Sequence, residues 1–217
     1  MRTWLILICL SACAQVADQA NSGYKTEQDR KSVARGLVSK DRDERQRPRE
    51  LVAAMDVKPG MTVADVGTGA GYMLPFLSEA VGPSGRVIAE DLFPDFLQQA
   101  RQHASGLKNV EFVLGSDHSA KLTPGSADRI LVLDAFHHFD YPKDMLASLL
   151  AALKPDGRLT IVEYHKNERS MPGGRALTHI RFTEDQAIAE VEAAGFRLIT
   201  KKDHIPDVQW LAIFRKP

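Results

Sequence analysis

The chain has 217 residues, enough for one α/β domain with short extensions and too few for two full domains. Hydrophobic residues make up 44% and charged residues 26%, an ordinary balance for a globular protein, and the formal net charge of +0 gives no basic surplus for a nucleic-acid partner. Both cysteines, Cys9 and Cys13, fall near the N-terminus, so the rest of the chain has no thiol for a disulfide, a zinc cluster or a nucleophile.

Residues 1–12 read as an export signal. Arg2 is a short positive start, and Trp4-Leu5-Ile6-Leu7-Ile8-Cys9-Leu10 is an apolar run too short to span a bilayer as a helix. Leu10-Ser11-Ala12-Cys13 resembles the lipobox of bacterial lipoproteins, which implies a lipidated Cys13 anchoring the protein on the periplasmic side of a membrane. Residues 13–47 are polar and charged, and are expected to form a tether followed by a solvated helix or lid. Residues 48–217 carry the domain.

From there strand and helix signals alternate. Pro48 opens a short helix, and Lys58-Pro59-Gly60 closes it. Thr62–Val66 is a strand running into glycines, followed by a helix over Tyr72–Val81. A second strand (Arg86–Ala89), a helix (Phe93–His103) and a third strand (Val110–Leu114) follow. Arg129–Leu133 is apolar almost throughout, as suits a strand covered on both faces. A helix over Lys143–Leu153 ends at the turn Lys154-Pro155-Asp156-Gly157, before a fifth strand over Leu159–Tyr164. Thr183 and Gln186 form a capping box for a helix ending at Gly195. Two strands, Phe196–Thr200 and Gln209–Phe214, close the chain as a hairpin, so at least one edge strand is expected to be antiparallel. The whole is an α/β, doubly wound, mostly parallel sheet.

A strand entering glycines at the head of a helix marks a nucleotide-type cofactor. A dinucleotide site wants G-x-G-x-x-G, and Tyr72 stands where its third glycine belongs. No Gly-Lys-Ser or Gly-Lys-Thr phosphate loop is present. The actual text, Asp65-Val66-Gly67-Thr68-Gly69-Ala70-Gly71, suits a cationic ligand: the glycines admit backbone carbonyls, and Asp65 adds negative charge.

That motif resembles motif I of the class I S-adenosylmethionine-dependent methyltransferases. Other landmarks agree in order: Asp91 about twenty residues on, Gly115-Ser116-Asp117, Gly125–Asp128 and Lys154–Leu159. Their text most resembles bacterial methyltransferases that carry export signals. The resemblance implies S-adenosylmethionine as cofactor, with Asp65, Gly67, Thr68, Gly69, Gly71, Asp91, Leu92, Asp117, His118 and Asp134 around it. Asp91 would accept from the ribose hydroxyls and Asp117 from the adenine amino group. Strand alternation is expected to turn Glu90 away from Asp91.

The acceptor is expected beyond the carboxyl ends of the strands, near Asp134–Phe139 and Glu163–His165. His137 or His138 is the candidate general base. The candidate metal donors are His118, His137, His138 and His165. Adjacent histidines rarely share a metal and no HExxH spacing is present, so no metal site is expected. Arg175, His179 and Arg181 could face an anionic acceptor. The missing thiols exclude arsenic as the acceptor. The expected activity is direct methyl displacement onto a small molecule. The rivals are an anchored cofactor-binding protein without transfer and, third, a nicotinamide-dependent oxidoreductase.

Overall fold

The computed structural model describes residues 16–39 and 41–217; Cys9, Cys13 and the export-signal expectation lie outside them. The seven strands are β1 (Thr62–Val66), β2 (Arg86–Asp91), β3 (Val110–Leu114), β4 (Ala127–Leu133), β5 (Leu153–Tyr164), β6 (Arg197–Ile205) and β7 (Gln209–Arg215). They form one sheet in the order β3-β2-β1-β4-β5-β7-β6. Strands β1 to β5 are mutually parallel, whereas β7 runs antiparallel to both β5 and β6. The hairpin forms, but its antiparallel strand lies one place in from the edge.

Eight α-helices accompany the sheet among the described residues: α1 (Glu27–Leu37), α2 (Arg42–Gln46), α3 (Pro48–Ala54), α4 (Leu74–Val81), α5 (Pro94–His103), α6 (Pro142–Ala152), α7 (Ala176–His179) and α8 (Glu184–Ala193). Strand alternation sorts the core into two layers. Ala64, Val66, Ile130, Val132 and Ile161 face Leu146, Leu149 and Val191 of α6 and α8. Val63, Leu131, Leu133 and Val162 face Leu51, Leu74, Leu77 and Ala100 of α3, α4 and α5. Burying each such Leu or Val stabilises the fold by about 1.5–3 kcal/mol relative to leaving it in water.

Two local features matter for placement. Leu153 pairs with Ala127 and Arg158 with Arg129, so the expected turn over 154–157 is a bulge inside one long β5. The Thr183 capping box is present: Thr183 Oγ1 accepts from the Gln186 N–H at 3.4 Å, and Gln186 Oε1 from the Thr183 N–H at 2.8 Å. Residues 16–39 and 41–47 fold back over the sheet's carboxyl edge, where Ala34 packs with Ala70 and Phe96. Among the described residues, no helix is long and apolar enough to cross a membrane.

Candidate cofactor and acceptor site

Strand order reverses between β2-β1 and β4-β5, and a cavity of about 350 Å3 opens beyond the carboxyl ends at that point. One end of it is made by the glycine loop. Gly67 adopts φ +73°, and a Cβ there would stand 2.7 Å from Ala135 Cβ, so neither the conformation nor the space admits a side chain. Gly71 does not line the cavity: it lets the loop pack on α5, where a Cβ would meet Ala100 Cα at 3.0 Å.

Asp65, Gly67, Thr68, Gly69, Asp91, Leu92, Asp117 and Asp134 all line the cavity. Thr68 Oγ1 donates to Asp65 Oδ2 at 2.6 Å. Asp91 accepts the Gly69 N–H through Oδ2 and the Phe93 N–H through Oδ1, both at 2.9 Å, which ties the end of β2 to the glycine loop. Glu90 also lines the cavity, contrary to the simple alternation argument: β2 ends here, and Glu90 Oε2 accepts the Gly67 N–H at 3.4 Å. His118 lies outside. It is exposed, its Nδ1 is 2.6 Å from Asp144 Oδ2, and its ring stacks on Tyr141 at 3.8 Å.

The carboxylates shape the electrostatics. Burial pushes Asp65 and Asp91 up to about 6. Burial, with Glu163 nearby, raises Asp134 to about 7, and Glu90 stands well above its usual range through burial beside Asp91. Asp134 has φ +52°, and its Oδ1 accepts from Gln209 Nε2 at 2.7 Å, which in turn meets Gln46 at the end of α2.

The opposite wall comes from the N-terminal segment, which is therefore not merely the tether and solvated helix or lid expected from its polarity. Asn21, Tyr24, Leu37 and Arg42 all face the cavity. Tyr24 lies 4.6 Å from the His138 ring, and burial raises its hydroxyl to about 12. Asn21 Nδ2 donates to His138 O at 3.1 Å and to Asp140 Oδ2 at 3.2 Å, which leaves Asn21 Oδ1 to accept from His138 Nδ1 at 2.8 Å. His138 therefore keeps the lone pair of Nε2. Burial, and then His137, hold its pKa well below the ordinary value.

The other candidate base, His137, does not reach the cavity. Its Nδ1 lies 2.8 Å from each oxygen of Glu163, and its backbone N–H donates to Glu163 Oε1 at 3.0 Å. Its Nε2 faces His179 Nε2 at 3.2 Å. His165 joins neither: it contacts Asp203 at 3.1 Å and Glu184 at 3.7 Å. Arg181 pairs with Glu190 at 2.9 Å, and Arg175 is exposed.

A methyltransferase-domain family model matches residues 57–203, and the chain belongs to that family. A solved S-adenosylmethionine-dependent methyltransferase from Aquifex aeolicus is 30% identical with a TM-score of 0.78, over 84% of this chain and 96% of that one. The protein-L-isoaspartate O-methyltransferase 2 of Archaeoglobus fulgidus is 36% identical over 49% of this chain and 47% of its own length. The ubiquinone/menaquinone biosynthesis C-methyltransferase of Pseudomonas savastanoi is 30% identical over 51% and 44% respectively. The chain thus spans a little under half the length of these two curated relatives.

The residues fit the cofactor of that family. The glycine cradle and the carboxylates that line the cavity suit a ligand carrying a sulfonium and an ammonium. A bound phosphate would instead meet the ionised forms of Asp65 and Asp91 as like charges.

Proposed function

We propose that this protein transfers a methyl group from S-adenosylmethionine to a small-molecule acceptor by direct displacement. The carboxylate-lined cavity at the strand-order switch carries the reading. The cofactor, when bound, supplies a methyl group activated on a sulfonium. Asp91 and Asp117 would take the nucleoside end, and Asp65 with the glycine loop the cationic amino acid end.

The acceptor would enter beside Tyr24, Phe93, His138 and Phe139, which line the rest of the cavity. The N-terminal segment walls this side of the cavity and would limit solvent around an acceptor held in line for displacement. His138 Nε2 is the atom to which an acceptor hydroxyl or amine would pass its proton, while Asn21 Oδ1 holds the ring by Nδ1.

Calorimetry with S-adenosylmethionine and with NAD tests the cofactor. Binding of the first only, weakened at least tenfold in Asp91→Ala, is expected. Binding of NAD alone, or an Asp91→Ala variant that binds like wild type, would sink the reading. Release of S-adenosylhomocysteine on incubation with a metabolite extract then separates a transferase from a binding protein.

We further propose that Cys13 is lipidated and the domain exported. Support comes from the apolar run and the Leu10-Ser11-Ala12-Cys13 text. The N–H of Val16 donates to Asp140 O at 3.3 Å, and Asp140 lines the cavity. The link from Cys13 to Val16 reaches at most about 11 Å. A lipid on Cys13 would therefore hold the acceptor side of the cavity close to the membrane surface.

A further inference from the structure

Behind the acceptor wall, three imidazoles meet. His137 and His138 sit on the 3-10 turn Phe136–His138 after β4, and His179 ends α7. The ring centroids are 4.0 Å apart for His137 and His138, 4.9 Å for His137 and His179, and 5.4 Å for His138 and His179. One ring nitrogen from each lies within 4.8 Å of the other two.

The protons are already disposed on the far sides of two rings. Glu163, wholly buried at the end of β5, accepts from His137 Nδ1 and turns Nε2 inward. Asn21 accepts from His138 Nδ1 and leaves that ring its own Nε2 lone pair. The 3.2 Å between His137 Nε2 and His179 Nε2 is close to the edge of a tetrahedron of metal-bound nitrogens, about 3.3 Å for metal–nitrogen bonds of about 2.0–2.1 Å. A buried carboxylate that orients a histidine ring from outside is the usual support of such a ligand.

We propose that His137, His138 and His179 form a binding site for a transition-metal dication of the zinc type, oriented by Glu163. Three imidazoles with no thiolate among them select Zn2+ or Co2+ over Ca2+ and Mg2+, which take oxygen ligands. Three protein ligands leave a fourth position open, and of the three histidines only His138 lines the cavity. Metal and proton compete for the lone pair of His138 Nε2. The inference does not require methyl transfer, and its test reads metal alone.

The test is a Co2+ titration of the untagged full-length chain after chelator stripping, followed by visible absorption and displacement with Zn2+. One equivalent is expected, with ligand-field bands and no thiolate charge-transfer band. It is also expected in a Cys9→Ser/Cys13→Ser variant and in His118→Ala. His179→Ala and His138→Ala, checked for folding by circular dichroism, should lose it, and Glu163→Gln should bind about 10–100-fold more weakly. No stoichiometric binding by wild type, loss in the cysteine variant, or wild-type affinity in folded His179→Ala overturns the proposal. The cluster would then be a hydrogen-bonded relay from Glu163 to His179.

Discussion

Asp65, Glu90, Asp91 and Asp134 crowd one wall of the cavity, and their proton balance sets how the site responds to pH. Folded, Asp65 and Asp91 titrate near 6 and Asp134 near 7, against about 3.9 in an unfolded chain. Between those values the folded state binds more protons, so the stability of the free protein should fall as pH rises from about 4 to 7. A cationic ligand favours the ionised carboxylates, so its affinity should rise over the same window. About tenfold tighter S-adenosylmethionine binding at pH 7.5 than at pH 5 is expected if either Asp65 or Asp91 must ionise, and more if Asp134 must. S-adenosylhomocysteine, which lacks the sulfonium charge, should show a shallower rise. Calorimetry across pH decides, and equal affinity at both ends would remove the electrostatic account. The glycine loop allows a second check at this scale. Gly67→Ala places a Cβ against Ala135 at a positive φ, which should cost about 1–3 kcal/mol in urea unfolding. An unchanged midpoint with normal cofactor binding would mean the loop is not held as described.

At the scale of elements, the lid is the part most exposed to test. Arg30 of α1 reaches both oxygens of Asp95 at the head of α5, at 3.0 and 2.9 Å, with side chains only 14% and 16% exposed. Its Nη1 donates to Tyr24 O at 2.9 Å, and its guanidinium lies 4.5 Å from the centre of the Phe93 ring. Arg30→Ala leaves Asp95 shielded and unpaired, a loss of about 1–2 kcal/mol of lid closure after allowing for partial exposure. Cofactor dissociation should then quicken about 5- to 30-fold, and amides in residues 16–47 should exchange faster while those of β1 and β4 do not. Uniform exchange across the chain would refute a separately held lid. The hairpin order belongs to this scale too. Strand β7 carries Trp210, Leu211, Ile213 and Phe214 and is buried on both faces, so it takes the inner place. Strand β6 carries Lys201, Lys202 and Asp203 and is left at the edge, where charge discourages further pairing.

For the whole molecule, the proposed lipid on Cys13 sets where it works. If Cys13 is lipidated, wild-type protein should fractionate with membranes and Cys13→Ser should move to the soluble fraction. Identical fractions for both would remove the anchor. The domain's own folding does not depend on the answer, because both core layers lie within residues 51–214.

What the sequence by itself determined is the local grammar. Thr62–Val66 entering Gly67, Gly69 and Gly71, and Asp91 at the end of its strand, are legible because backbone conformation and strand ends are set by neighbouring residues. So are the Thr183 cap and the alternation that makes two core layers. The tertiary structure alone decided which distant groups meet. It brought Asn21 and Tyr24 to His138 across more than a hundred residues, left His118 with Asp144, and put His179 beside His137 with Glu163 behind. No spacing rule reports such meetings, since each depends on how helices dock on the sheet. That docking is set by the packing of both layers together.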